Sequence, residues 1–325
     1  MTLVESSRGT RGSSARLWWM ALACVAVAAA GCGDDAASTD DGTGGGGTGG
    51  SGAGAGSSST STAAGDPDCP QAASFLDVSG DSAGADYPAP TLAVSCEGDE
   101  VVVASNGIPN FDFDQVTPNA LEEQDFEFRF PRDPTAAAAT TAVPLGGTVA
   151  VAVNGLPIFG PTEAGQDGYR DPLLDALLDY CNGHTAPGGV YHFHARPDCL
   201  FTDLEGQTSL VIGYAFDGYP ILAPYGCDDA DCTAVRPMKS SWQPIADQFD
   251  ENGDPIYDGT TEGSWDINEY VEGSGDLDEC NGRALSGGGY AYYATDTFPY
   301  FVGCYTGTPT ANMMEMGPGG GHGGP

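Results

Sequence analysis

Basic residues are scarce in this chain. Lys and Arg number 10 against 46 Asp and Glu, a formal net charge of −36. Nucleic acid and anionic membrane surfaces both require clustered positive charge, so neither is an expected partner class. Long apolar runs are missing as well. The longest, "LWWMALACVAVAAA", stops at fourteen residues, short of the roughly 18 that a membrane helix needs. No phosphate loop or His-Glu-x-x-His motif occurs, which removes the short motifs of P-loop enzymes and zincins. From Gly33 to Asp66 there is no large apolar side chain, and such a segment cannot bury enough surface to order itself.

What is present points first to export. Arg8, Arg11 and Arg16 precede the apolar run, which closes at Gly31-Cys32, the layout of a secretory signal over residues 1–31. "AAGC" resembles a bacterial lipobox, with Ala29 in place of the usual Leu. Cys32 is then the expected site of lipid attachment (palmitate or a related acyl chain), and residues 32–66 a Gly/Ser-rich tether. The expected location is the outer membrane or cell surface, held by the lipid alone, or the medium if the lipobox is not used. Without residues 1–31 the chain carries 7 basic and 45 acidic residues.

Eight cysteines remain after Cys24 and Cys32 are set aside. An even number in an exported chain reads as four disulfides rather than catalytic thiols. Residues 67–312 are expected to form one domain, with 313–325 a disordered Gly-rich tail. "VVVASNGIPNF", "VAVNGLPIFGP" and "IGYAFDGYPILAPYG" each place Asn-Gly or Asp-Gly after a β-prone run and so read as hairpins. One short helix is expected at 171–180, capped by Asp171 with Pro172 in its first turn. The expected class is all-β, mainly antiparallel, loop-rich and disulfide-stabilised, with that one helix.

The chain also resembles itself. "LDYCNGHTAPGGVYHFHA" (178–195) and "LDECNGRALSGGGYAYYA" (277–294) align without a gap, 99 residues apart. An internal duplication, about 178–199 and 277–304, is the simplest reading. Its symmetry suggests the pairs Cys181–Cys199 and Cys280–Cys304, leaving Cys227–Cys232 and Cys69–Cys96. Where the first copy has His184, His192 and His194, the second has Arg283, Ala291 and Tyr293. The local scaffold therefore does not need the imidazoles, which shifts weight toward function.

Residues 190–195 read as a strand, with His192 and His194 on one face and Tyr191 and Phe193 on the other. A His-x-His pair joined by His184 from the preceding loop forms a three-nitrogen set suited to zinc or copper. Asp198 and Asp217 are candidate carboxylates to orient the rings. The same histidines could instead serve a substrate or act as a general base, or merely pair with the many acids. Calcium is a weaker candidate, at Asp250, Asn252 and Asp254, because Pro255 stands where an EF-hand needs Gly and its last ligand position falls on Thr261. The tail adds three Met and His322, without regular spacing.

"CNGHTAPGGVYHFHARPDCL", "IGYAFDGYPILAPYG" and "LDECNGR" followed by "GGYAYYATDTFPYFVGC" resemble the YHYH family of exported bacterial proteins. Tyr191, His192 and His194 fall on the motif, and Phe193 replaces its second tyrosine. The resemblance implies export and motif identity, and no mechanism. The expected function is metal or small extracellular ligand binding, with a metal- or His-dependent hydrolase and a surface adhesion module as alternatives.

Overall fold

A computed structural model describes residues 68–229, 231–257 and 263–310. The signal segment, Cys32, the tether, Thr261 and the tail with His322 lie outside the described residues. Among those described, no helix is long and apolar enough to cross a membrane.

The chain runs through β1 (Leu92–Glu97), β2 (Glu100–Ser105), β3 (Phe126–Pro131), β4 (Ala136–Ala142), β5 (Thr148–Ala152) and β6 (Pro157–Phe159). Then follow β7 (Gly183–Thr185), β8 (Tyr191–Phe193), β9 (Val211–Ala215), β10 (Pro220–Leu222), β11 (Tyr225–Cys227) and β12 (Val235–Pro237). The last are β13 (Trp242–Pro244), β14 (Asn268–Tyr270), β15 (Gly282–Ala284), β16 (Tyr290–Tyr293) and β17 (Cys304–Gly307). β1, β2 and β3 make an antiparallel sheet, and eight strands form a second one in the order β15-β16-β10-β9-β5-β6-β8-β7. Most ladders are antiparallel, but β6–β8 and β10–β16 pair in parallel. Alternation along β3 turns Phe126, Phe128 and Phe130 inward, where they join Ile158, Tyr191, Phe193, Ile212 and Phe216 in the main core. The fold is all-β.

Four disulfides, Cys69–Cys96, Cys181–Cys199, Cys227–Cys232 and Cys280–Cys304, tie the loops. In the chain-entropy view closures of this size restrict the unfolded chain enough to add about 2–4 kcal/mol of stability each.

Two sequence expectations need correction. Residues 171–180 form turns, not a helix. The cap itself exists, since Asp171 Oδ1 accepts from the amides of Leu173 and Leu174. One turn later Ala176 takes a left-handed φ of 54°, and Leu174, Leu177 and Tyr180 are left exposed, so no apolar face is available to sustain a helix. The second correction concerns "VVVASNGIPNF", which is not a hairpin. Strand β2 pairs with β1 and with the distant β3. Pro109 cannot donate to a returning ladder, and the Asn106 side chain ties the turn to Thr91, Ala89 and Glu123 instead. The other two phrases do turn back, as β5–β6 and β9–β10.

The segments 178–195 and 277–294 share their local hydrogen bonding. Asn182 and Asn281 both adopt positive φ, 62° and 64°. Asp179 Oδ1 accepts from the amides of Cys181 and Gly183, and Asp278 Oδ1 from those of Cys280 and Gly282. The first tyrosine of each hairpin returns to that same carboxylate: Tyr191 Oη donates to Asp179 and Tyr290 Oη to Asp278. Where the first hairpin pairs His184 with His192, the second pairs Arg283 with Ala291, and the Arg283 guanidinium lies over the Tyr293 ring.

Candidate metal centre

The β7–β8 hairpin sits at one end of the large sheet, and the Cys181–Cys199 disulfide closes the loop that contains it. Opposite positions of an antiparallel pair hold their side chains close, so the register His184↔His192 brings two imidazoles together. His194, two residues on, shares the face of His192. All three are buried, at 4, 2 and 1 % exposure.

Each ring is oriented by a backbone carbonyl. His184 Nδ1 lies 3.0 Å from Leu177 O, His192 Nδ1 3.1 Å from Val190 O, and His194 Nδ1 2.8 Å from Gly160 O. A carbonyl oxygen only accepts, so each Nδ1 carries the hydrogen and each Nε2 of a neutral ring presents a lone pair. In a helix the Leu177 carbonyl would accept from the amide of Cys181; here it is free to hold His184.

The three Nε2 atoms converge, with the ligating nitrogens all within 4.8 Å of one another. His192 Nε2 and His194 Nε2 are only 2.9 Å apart. Behind them Phe159 stacks on His192, ring centroids 3.9 Å apart. Burial, reinforced by the neighbouring rings, pushes His192 well below the usual histidine range and His194 down to about 4. At neutral pH these rings favour the uncharged form, the form that ligates a metal.

Glu163 joins the cluster without having been singled out in the sequence. Its Oε1 lies 3.0 Å from His184 Nε2 and 3.9 Å from His194 Nε2. That oxygen is buried and accepts no hydrogen bond. Burial works to raise the Glu163 carboxyl, but the adjacent His184 and His194 rings outweigh it and hold it below its ordinary value. Glu163 follows β6 directly, in "PIFGPTE", and its amide donates to Arg170 O. Gly160, which orients His194, lies in the same stretch. The parallel β6–β8 pairing delivers both. Parallel partners are non-local, and local sequence carries no signal for them; the one available clue was an acid just past a Gly-Pro turn.

The other candidates lie elsewhere. Asp198 pairs with Arg196, and Asp217 accepts from Tyr292 Oη and the Gly307 amide, so neither orients a histidine. Tyr191 and Phe193 face the core against Phe111. Asp250 spends its carboxylate on the amides of Asn252 and Asp254 in its own turn. Glu279 lies beside Cys280 and Cys304, but those sulfurs are joined to each other.

The model of a family described as "YHYH protein" matches residues 127–307, more than half of the chain. The chain belongs to the YHYH family. No curated protein and no solved structure matches it. Within the YHYH domain the two histidines of the motif and the tyrosine before them divide the work. His192 and His194 enter the polar cluster, while Tyr191 stays in the core and fastens the loop through Asp179. The change of the second motif tyrosine to Phe193 falls on the core side and leaves the cluster untouched.

The donor set fits a borderline divalent ion: three imidazole nitrogens and one carboxylate oxygen are the ligands of choice for zinc or copper. The orphaned Glu163 oxygen and the facing Nε2 lone pairs are the atoms such an ion would satisfy. The cluster could hold a metal.

Proposed function

We propose that this chain is an exported metal-binding protein whose YHYH domain takes up one divalent transition ion, copper or zinc, through Nε2 of His184, His192 and His194, with Glu163 as the adjoining carboxylate. The observation that carries this reading is the contact of His192 Nε2 with His194 Nε2 at 2.9 Å while both Nδ1 atoms face carbonyls. Two neutral rings so placed point lone pairs at each other, and buried polar atoms without a partner are costly. A cation between them converts that repulsion into two bonds. The carbonyls on the far nitrogens are the usual means of fixing the tautomer of a metal-bound histidine.

Export is supported by the signal-like start and the four disulfides, and lipidation at Cys32 would tether the domain to the membrane that carries it. A second reading, a metal-dependent extracellular hydrolase, draws on one observation: the cluster lines a cleft of 680 Å³. An adhesion module draws on none.

Metal analysis of the exported, untagged protein tests the proposal. One equivalent of copper or zinc is expected, and none in the His192→Ala/His194→Ala double variant. A wild-type protein that holds no metal after reconstitution would overturn it.

A further inference from the structure

The cleft over the histidines carries information about what meets the metal. The three histidines and Glu163 line it, together with Val116, Pro118 and Leu177. Its volume, 680 Å³, lies in the range of small-molecule sites. Val116 and Leu177 are 45 and 44 % exposed, apolar side chains left in water at its wall.

Apart from the exposed carboxylate of Asp167, most polar side chains of the wall are already committed. Thr117 Oγ1 and Asn119 Nδ2 both donate to Thr185 O. Arg170 makes two bonds to Asp175 and lies over the Tyr257 ring at 3.9 Å. A ligand entering here finds apolar contact along its body and few free hydrogen-bonding groups. Four protein donors would complete a tetrahedral shell, but here the donor cluster lines the cleft, from which a fifth ligand can reach such an ion. Three neutral imidazoles and the Glu163 carboxylate leave a divalent ion with one uncompensated positive charge, which a single negative charge would neutralise.

We propose that the cleft binds a small monoanion with an apolar body, such as an aromatic or aliphatic monocarboxylate, its charged head on the metal and its body between Val116, Pro118 and Leu177. This rests on the metal reading above.

The test uses the full chain reconstituted with Co(II), whose visible bands report its ligands. The expected result is a band shift on adding acetate, butyrate or benzoate, with benzoate about tenfold tighter than acetate, a difference of about 1.4 kcal/mol that burial of its ring supplies. Val116→Asp should keep its cobalt and lose most of that preference. A protein that takes up no Co(II) would overturn the metal reading and this inference with it. Bound Co(II) whose spectrum ignores all three anions would overturn this inference and leave the metal reading standing. Equal affinity for acetate and benzoate would overturn the apolar part.

Discussion

His192 Nε2 stands 2.9 Å from His194 Nε2, with both Nδ1 atoms turned to backbone carbonyls. The metal-free protein therefore places two lone pairs against each other in a buried pair, and metal binding should stabilise the fold strongly. At a free-metal concentration a thousandfold above Kd, binding to the folded state alone is worth about 4 kcal/mol. Thermal unfolding with and without a strong chelator measures this. The wild type should lose many degrees in chelator, and the His192→Ala/His194→Ala protein should be indifferent to it.

Glu163→Gln keeps the shape of the side chain and removes the charge. Because the neighbouring His184 and His194 rings favour the ionised Glu163, the metal-free variant should be less stable than wild type by about 1 kcal/mol. Metal affinity should fall by at least roughly 10- to 100-fold, the effect of losing even a carboxylate that only orients the ligands. Competition with a chromophoric chelator reads the affinity directly. An unchanged affinity would place Glu163 outside the metal's reach.

The parts of this molecule legible from sequence are those set by local rules. Alternation and Asn-Gly or Asp-Gly turns marked β5–β6 and β9–β10, and two histidines one residue apart on a strand had to share a face. His184 was placed through the Gly-Gly turn between it and His192. What stayed hidden depends on distant partners. Glu163 arrives because β6 lies parallel to β8. The helix expected at 171–180 had its cap and its leucines, but Ala176 takes a left-handed φ, the leucines find no core, and the Leu177 carbonyl meets His184 instead. Ring orientation comes from carbonyls of Val190, Leu177 and Gly160, and main-chain acceptors leave no trace in a sequence.

The hairpin scaffold should be less forgiving than the histidines. A Cβ on Gly183 would stand 2.4 Å from Tyr191 Oη and 2.6 Å from the His192 carbonyl. The tyrosine is pinned to Asp179 at 2.8 Å and the carbonyl is backbone, so neither can retreat cheaply. Gly183→Ala should cost about 1–3 kcal/mol, in the range of overpacked cores, and abolish metal retention. Tyr191→Phe should cost about 1–3 kcal/mol, because Asp179 loses one donor while buried. Urea unfolding of both variants separates the effects. A Gly183→Ala protein as stable as wild type would mean that the loop can open without loss.

Asp171 gives the fold a pH dependence of definite sign. Its carboxylate accepts from Tyr300 Oη at 2.7 Å and from two amides, yet burial dominates and pushes its pKa up to about 6 from 3.8. The folded protein therefore holds this proton more tightly than the unfolded chain. Between pH 3.8 and about 6 the native state binds more protons, so the Asp171 contribution to stability is present at low pH and lost as pH rises through that window. A shift of about two units corresponds to about 3 kcal/mol. Asp171→Asn cannot ionise and escapes the loss. Relative to wild type it should become more favourable by up to that amount between about pH 4 and about pH 7, whatever its own packing costs. Urea midpoints of both proteins at the two pH values give the difference of differences, in which the other titrating groups cancel. A difference of zero would mean that Tyr300 and the two amides fully compensate the buried charge.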